Sequence, residues 1–413
     1  MEREGMNAPV KWEFGGKRAQ VTALAALFGN SKAITVAVNH TLSSIEHEWR
    51  EFQTVAAGSF YQTFEWCSAW IETAGRAEGA KACVVTGWDS RGRLQFLLPF
   101  AVRTSNGARI LEWIGSSQIN YGYGLYDREF LPTAREWFGT QGWRIISEVG
   151  DIDAIRLKEL PESLHGHPHP LVDWRTVRGA NRSYTMALRE NYEELYAEKR
   201  SSDTRRGNRK RDAKLEKIGD VQFGLPDSRE QTHALLEQMF KHQESRLAEN
   251  GIRGVFGPAD REFVHRLGDM EGVLLPYHLS VDGELAAMML GGIYDNTFWA
   301  LISSLNSGVA RKYSPGDAAL RRMIEACCKS GLKRLDFSSG DTSYKLHWAD
   351  EAIPLHEAIH FVTLKGAFWA AGAVTVAFGK RMIKQSPTLW PVFTWLRAAL
   401  HSDTQKSQES ANH

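Results

Sequence analysis

Cysteine is scarce in this chain of 413 residues, and its few cysteines form no recognisable pattern. The four are Cys67, Cys83, Cys327 and Cys328, and they show neither a CxxC pair nor a Cys/His spacing. Such spacings mark zinc sites and disulfide frameworks. We therefore expect no metal site and no disulfide framework, and we expect the protein to work in the reducing cytoplasm.

Excess charge of one sign and a membrane-spanning apolar run are missing as well. The formal net charge is only +1, which excludes a protein that binds bulk polyanions. Residues 1–18 contain no apolar signal core, so we expect no export. The uncharged stretch 366–379 falls short of the roughly 20 residues that a membrane span needs. We expect a buried C-terminal helix there; the alternative is a helix that lies on the inner face of the membrane.

What the chain does have is the composition of a soluble globular protein. Hydrophobic residues make up 43% and charged residues 24% of the sequence. Because 413 residues exceed what one hydrophobic core usually serves, we expect two domains.

The order of the predicted elements indicates a duplicated α/β unit. Helices are predicted over residues 42–52, 65–73, 192–217 (broken near Gly207), 229–250 and 258–269. Strands are predicted over residues 33–38, 82–88, 94–102, 109–114 and 154–157 of the first half, and over 184–188, 221–225, 274–281, 284–293, 297–303, 334–337 and 355–362 of the second. Each half therefore places helices before an antiparallel meander, which favours mixed sheets over a parallel one.

The most informative segment runs from Arg311 to Trp348. A turn at Ser314-Pro315-Gly316 opens a helix that ends at Gly331, a short strand follows, and a turn at Gly340 carries Tyr344 and Lys345. Proline presets the first helical turn, and the first N–H groups of a helix lack internal partners and can bind phosphate. A helix start of this kind beside the charged strand end at Asp336 is the layout of a group-transfer site.

These residues resemble the GNAT superfamily, in particular its CelD-like acyltransferase branch, and more distantly the Fem-type peptidoglycan aminoacyltransferases. The resemblance rests on Ser59-Phe60-Tyr61-Gln62 with Glu65-Trp66, Leu98-Pro99, Val281-Asp282-Gly283, Tyr313-Ser314-Pro315-Gly316, Asp336-Phe337, Gly340 and Tyr344-Lys345. It implies an α/β fold of two tandem GNAT-like domains with mixed, largely antiparallel sheets and flanking helices. The domains would span residues 1–180 and 181–363, with the catalytic site in the second, and a helical tail would span 364–413.

The resemblance also implies the chemistry. Lys345 is the candidate for stabilising the oxyanion of an acyl transfer, with Asp336 and Tyr344 beside it. Non-catalytic alternatives remain for all three: Lys345 would be a solvent-exposed lysine, Tyr344 would only pack, and Asp336 would only hold its own turn. The acyl donor would be an acyl-CoA, with acetyl-CoA expected first, while an acyl carrier and an aminoacyl-tRNA remain the alternatives. The acceptor would be a small molecule or a saccharide of envelope or exopolysaccharide metabolism.

The donor would bind over Ser314, Pro315 and Gly316, with Arg311 and Lys312 supplying positive charge. Two features depart from the usual GNAT sequence. The Arg/Gln-x-x-Gly-x-Gly/Ala pyrophosphate loop is absent, and the carboxylate of Asp317 at the helix start would compete with a bound anion.

A basic run from Lys199 to Lys217 carries nine Lys and Arg side chains against three carboxylates. Helical spacing brings Arg206, Arg209 and Lys210 together as a candidate substrate-binding face, although a solvated surface explains the run equally well. Two other functions stay open: transfer of an amino acid from a charged tRNA to a cell-wall precursor, and a non-catalytic module that binds an acyl ligand.

Overall fold

A computed structural model describes residues 34–385, except residues 117, 165, 173–175, 249–255, 307 and 341. Within these residues the fold is a mixed sheet of thirteen strands flanked by helices, with a separate two-stranded ribbon. The predicted tail beyond residue 385 lies outside the described residues.

The strands are β1 (Thr35–Asn39), β2 (Lys81–Trp88), β3 (Leu94–Ser105), β4 (Ala108–Trp113), β5 (Leu125–Tyr126), β6 (Ala154–Pro161), β7 (Ser163–Leu164), β8 (His167–Pro168), β9 (Val177–Ala187), β10 (Val221–Gly224), β11 (Leu275–Val281), β12 (Glu284–Tyr294), β13 (Thr297–Leu305), β14 (Arg334–Ser339) and β15 (Glu351–Phe361). The α-helices are α1 (Glu46–Gln53), α2 (Phe64–Trp70), α3 (Leu131–Val149), α4 (Tyr192–Lys199), α5 (Ser202–Leu215), α6 (Arg229–Ala248), α7 (Pro258–Gly268), α8 (Pro315–Lys329), α9 (Ser343–Trp348) and α10 (Leu364–Gln385).

The two halves of the sheet have the same topology. In the first half β1 to β4 form an antiparallel meander, the chain crosses over through α3, and β6 pairs parallel to β4. In the second half β10 to β13 form the same meander, the chain crosses over through α8, and β14 pairs parallel to β13. The predicted duplication of an α/β unit is confirmed.

The two units are joined by strands exchanged at the centre of the sheet, where the order is β6-β15-β9-β14. The late strand β15 pairs with β6 of the first half and with β9, while β9 pairs in turn with β14 of the second half. The expected boundary at residue 180 falls inside β9, and the domain limits themselves stay a prediction.

Helix α8 shows why the second unit folds as it does. Pro315 occupies its first turn, and the apolar residues recur at helical spacing on one face, which packs on the sheet. Leu320, Met323, Ile324 and Cys327 of this face are all buried in one cluster. Burial of side chains of this size contributes roughly 1.5–3 kcal/mol each relative to exposure.

The break in the basic helical region is not at Gly207, as predicted, but at residues 200 and 201. Ser201 caps α5 by accepting a hydrogen bond from the backbone N–H of Thr204 at 3.2 Å, and Gly207 lies inside that helix. A serine cap satisfies an N–H group that the helix leaves unpaired, whereas one glycine costs a helix only about 1 kcal/mol.

Two further expectations are corrected. Helix α3 was not predicted, because Gly139 and Gly142 interrupt its helical pattern. The expected buried C-terminal helix is largely exposed over the part whose side chains are described: Leu364 and Phe368 are each 83% exposed. Within residues 34–385 as described, no helix is both long and apolar enough to cross a membrane.

Candidate active site

The candidate site lies where two neighbouring parallel strands separate. β13 and β14 pair only from Thr297 opposite Arg334 to Trp299 opposite Asp336, and beyond this point their backbones diverge. A cavity of about 100 Å³ lies in this region. Its walls come from β13, β14, α8 and α9: Ala300, Leu301, Ile302, Ser303, Phe337, Ser338, Ser339, Leu320, Met323, Tyr344 and Lys345, with Met289 and Asn120.

Ser338 is the residue at which β14 bends. Its φ angle of 61° is in the left-handed region, which is uncommon for a residue other than glycine and costs on the order of 1–3 kcal/mol. Its hydroxyl donates to the carbonyl oxygen of Ala300 on the facing strand, and its N–H donates to Asp336 Oδ1 at 2.7 Å. The pairing of β14 with β9 shifts register between Asp336 and Ser339, so β14 bends at this residue.

Lys345 lies in the cavity wall and not on an exposed turn. It belongs to the short helix α9, where sequence analysis placed a turn, and it is only 7% exposed. Its Nζ donates to the carbonyl oxygens of Ser339 at 2.7 Å and Ser338 at 3.3 Å. These two acceptors compensate for the burial of an ammonium group, which is otherwise costly.

Asp336 is close to this wall but does not line the cavity. It is 3% exposed, and its Oδ2 accepts a hydrogen bond of 2.5 Å from the hydroxyl of Tyr121. Burial raises the pKa of Asp336 to about 7, against the opposing effects of the Tyr121 hydroxyl, the Ser338 N–H and the Lys345 ammonium. Asp336 therefore fixes the bend at Ser338 and can change its charge near neutral pH.

Tyr344 lines the cavity, and its ring meets that of Phe337 edge to face at 6.3 Å. Burial raises the pKa of the Tyr344 phenol, although hydrogen bonds with Ser303 and Thr342 lower it. The phenol is therefore protonated at neutral pH and can act as a hydrogen-bond donor.

Residues from the first half complete the site, and sequence analysis missed them. Asn120 donates through Nδ2 to the Tyr61 hydroxyl at 2.8 Å and accepts from the Ser339 hydroxyl at 2.7 Å. The Tyr61 hydroxyl lies 3.0 Å from Ser338 Oγ. Because the Ser338 hydroxyl donates its hydrogen to the carbonyl oxygen of Ala300, its oxygen accepts the hydrogen bond from Tyr61. Tyr121, which bonds to Asp336, and the nearby Tyr123 are fully buried.

The residues expected to bind the acyl donor lie at the start of α8, beside the C-terminal end of β13. Ser314 has a left-handed conformation and accepts from the N–H groups of Asp317 and Ala318. A Cβ at Gly316 would meet only Leu305, at 3.5 Å, so this backbone is open to close approach. Leu305 is two residues beyond Ser303 of the cavity wall, or about 7 Å along a strand.

The charge of Asp317 is compensated within the protein. Its carboxylate pairs with Arg321 at 3.0 Å and with Arg200 at 3.5 Å, and Arg321 also pairs with Asp212 at 2.7 Å. Burial lowers the pKa of Arg321, but these carboxylates outweigh it and raise the pKa overall. Since Arg311 and Lys312 are exposed nearby, an anion at this helix start meets net positive charge.

The basic face of α5 is a solvent-exposed surface. Arg206, Arg209 and Lys210 are all exposed, and Arg206 pairs with Asp203 at 3.0 Å. None of the three lines the cavity between β13 and β14. No group of three or more His, Cys, Asp and Glu side chains able to hold a metal ion occurs in the described part of the chain.

A second cavity, of about 400 Å³, adjoins the first. It lies between first-half residues, among them Trp66 and Gln118, and helix α7. Asn120, Leu301 and Ile302 line both cavities.

Comparison with known proteins supports a GNAT-like fold. Residues 202–346 match the family model of the acetyltransferase (GNAT) domain, and this range contains the diverging strands β13 and β14 and Lys345. The crystal structure of FemX superposes with a TM-score of 0.55 at 11% identity, covering 78% of this chain and 97% of that one. At this identity the likeness concerns the fold alone. The expected fold class, α/β with tandem GNAT-like units and a mixed, largely antiparallel sheet, is confirmed.

More distant superpositions have lower scores. A conserved protein of unknown function from Bacteroides thetaiotaomicron gives a TM-score of 0.48 at 9% identity, covering 79% of this chain and all of that one (100%). The C-terminal domain of a putative lysylphosphatidylglycerol synthetase from Agrobacterium fabrum gives 0.47 at 8% identity, covering 81% of this chain and 97% of that one. No curated protein sequence matches the chain.

Proposed function

We propose that this protein is an acyltransferase that moves an acyl group from an acyl-CoA, with acetyl-CoA as the expected donor, directly to an amine or hydroxyl acceptor. The observation that carries the proposal is the buried ammonium of Lys345 in the wall of the cavity between the diverging strands β13 and β14. Because all the residues that line this cavity except Asn120 lie within the range that matches an acetyltransferase domain, a thioester is the ligand it suits best.

The cavity size supports a small acyl group. Its volume of about 100 Å³ is well below the roughly 300–1,000 Å³ of pockets for drug-sized ligands, which suits a small group such as an acetyl thioester. The rest of the donor would lie along β13 towards Gly316, where the helix start can receive the pyrophosphate and Arg311 and Lys312 add positive charge. The CoA supplies the activated thioester, and the protein supplies position and charge.

In the transfer step the acceptor atom forms a bond to the thioester carbon while the carbon–sulfur bond breaks. We assign Lys345 to the carbonyl oxygen, where its ammonium stabilises the negative charge that develops. We assign Tyr344 to the departing thiolate, which takes up a proton. We assign Asp336 as a positioning residue, because its oxygens accept hydrogen bonds from the Tyr121 hydroxyl and from the backbone N–H of Ser338, and Asp336 does not line the cavity.

The test is CoA release from acetyl-CoA with a panel of amine and hydroxyl acceptors. Replacement of Lys345 by alanine should lower kcat at least ~100-fold, the usual cost of losing one oxyanion donor. Lys329→Ala is the matched control, because Lys329 is an exposed lysine at the end of α8 that pairs only with Glu325 among the ion pairs of the described residues. Equal kcat values for Lys345→Ala and the wild type would refute the role of Lys345.

A second candidate is transfer of an amino acid from charged tRNA, and the observation that favours it is the exposed basic face of α5. An exposed cationic face binds a polyanion with strong salt dependence. Replacing Arg206, Arg209 and Lys210 together with alanine should leave acetyl-CoA turnover unchanged. If instead charged tRNA alone supports transfer, and the triple variant loses it, the donor is tRNA.

A further inference from the structure

The second cavity, hereafter the chamber, is placed to hold the acceptor. Asn120, Leu301 and Ile302 belong to its walls and to those of the smaller cavity where Lys345 lies. A molecule in the chamber therefore contacts the wall that the chamber shares with the place proposed for the thioester. The volume of about 400 Å³ is in the range of small-molecule sites.

The walls of the chamber are mostly apolar. Helix α7 contributes Phe263, Val264 and Leu267, and the ring of Phe263 packs edge to face on Trp66 with centroids 4.9 Å apart. Leu274 and Leu290 close the side formed by the sheet. An apolar ligand body gains about 25 cal/mol for each Å² of apolar surface that it buries here.

Three polar side chains of the chamber, Gln118, Asn120 and Asp260, are already hydrogen-bonded, and the buried Nε1 of Trp66 has no hydrogen-bond partner among the described residues. Gln118 donates to Asp260 at 2.6 Å, Asp260 also accepts from the N–H of Gly257 at 2.9 Å, and Asn120 bonds to Ser339 at 2.7 Å. A saccharide brings many hydroxyl groups, and each one buried without a partner costs about 1–3 kcal/mol. The chamber therefore disfavours the saccharide acceptor expected from the sequence.

The charged side chains among the lining residues are all acidic. They are Glu78 and Asp260, and among the residues that the structure describes no Lys, Arg or His side chain lines the chamber. The guanidinium of Arg103 lies 3.6 Å from Glu78 but is closer, at 2.7 Å, to Glu112. An acidic lining attracts an ammonium ion and repels carboxylates and phosphates.

We propose that the chamber binds a primary amine with an apolar body, such as an arylalkylamine, as the acyl acceptor. The inference rests on the proposed function, since it names the acceptor class for that reaction. The amine is captured as its ammonium ion and loses one proton to water. Its nitrogen then bonds to the thioester carbon and the carbon–sulfur bond breaks, while the second proton goes to the thiolate; the products are an N-acylamine and free CoA.

Calorimetric titration without any acyl donor tests binding separately from chemistry. The probes share one apolar body: 4-phenylbutylamine, 4-phenylbutanol and 4-phenylbutyrate, with glucosamine as the saccharide. We expect the amine to bind at least tenfold more tightly than the carboxylate, and glucosamine not to bind. Equal affinity for amine and carboxylate, or binding of glucosamine alone, would overturn the proposal.

Two variants locate the bound amine. Val264→Phe adds bulk to the chamber wall and should weaken 4-phenylbutylamine binding at least tenfold. Glu78→Gln should weaken the amine about tenfold and leave the alcohol unchanged, while Glu262→Gln, on the exposed side of α7 where it pairs with Arg76, should change neither. If both chamber variants, shown to be folded by thermal unfolding, bind the amine as the wild type does, the amine is bound elsewhere and the proposal is wrong.

Failure of the inference and failure of the proposed function give different results. Amine binding that responds to these variants, without CoA release from any acyl-CoA, supports the chamber and refutes the acyltransferase. CoA release with glucosamine but not with the amine supports the acyltransferase and refutes the chamber as an amine site.

Discussion

Replacement of Asp336 by asparagine should stabilise the protein at neutral and alkaline pH. Burial raises the pKa of this carboxyl from its ordinary 3.8 to about 7 in the folded state. A carboxyl with a raised pKa contributes its full stability below the unfolded pKa, and that contribution is lost as the pH rises through the folded pKa. Asparagine stays neutral, and its amide can still accept from the N–H of Ser338 and donate to the oxygen of Tyr121.

The size of the effect follows from the distance between the two pKa values. They differ by roughly 3 units, and one unit corresponds to about 1.4 kcal/mol, so the charge costs on the order of 4 kcal/mol at pH 8. The free energy of unfolding of Asp336→Asn, relative to the wild type, should therefore rise by this order between pH 4 and pH 8. The neutral asparagine no longer attracts the ammonium of Lys345, and this loss reduces the gain in the free energy of unfolding.

Urea unfolding at a series of pH values measures this difference directly. Asp203→Asn is the control, because Asp203 is exposed and pairs with Arg206 on the surface of α5, so its difference from the wild type should be nearly flat. A flat difference for Asp336→Asn as well, or one that grows towards acid pH, would show that Asp336 is not held neutral by burial.

Three further outcomes are expected. Tyr121→Phe removes a hydrogen bond to the buried Asp336 carboxyl, so we expect a loss of about 1–3 kcal/mol in the free energy of unfolding and a higher pKa for that carboxyl, measured by urea unfolding and by NMR titration. Asp317→Asn leaves the positive charge at the start of α8 uncompensated, so CoA should bind more tightly by calorimetry, and weaker binding would contradict an anion site there. We also propose that α10 contacts a membrane surface: sedimentation with anionic vesicles should fall in a Leu364→Ser/Phe368→Ser variant, whose side chains are exposed in the wild type, and an unchanged bound fraction would remove the proposal.

The parts of the fold that the sequence predicts are those with strong local signals. The turn between β11 and β12 follows from Asp282-Gly283, and both residues have the positive φ that such a hairpin requires. Helix α8 follows from Pro315 and its apolar spacing, and β13 and β14 follow from their apolar runs. Each signal is contained within a few neighbouring residues.

The candidate site was only partly predictable, because its contacts join distant parts of the chain. Tyr61 meets Ser338, and Tyr121 meets Asp336, across more than two hundred residues, and no local pattern marks such pairs. The position of Lys345 depends on the bend at Ser338, which only tertiary contacts hold in place. The exposure of α10 was missed for a similar reason, since an apolar stretch does not tell whether a partner surface exists.

The exchange of strands at the centre of the sheet also affects the order of assembly during synthesis. The edge of β6 that β15 covers is complete at residue 161, but β15 ends only at Phe361. At about 5–20 residues per second, the ribosome needs roughly 10–40 s to supply the missing neighbour. During this interval the nascent chain presents an open strand edge, the state most prone to mispairing. A chaperone that shields this edge while translation continues would raise the yield of folded protein, and expression of the first half alone would leave the edge uncovered.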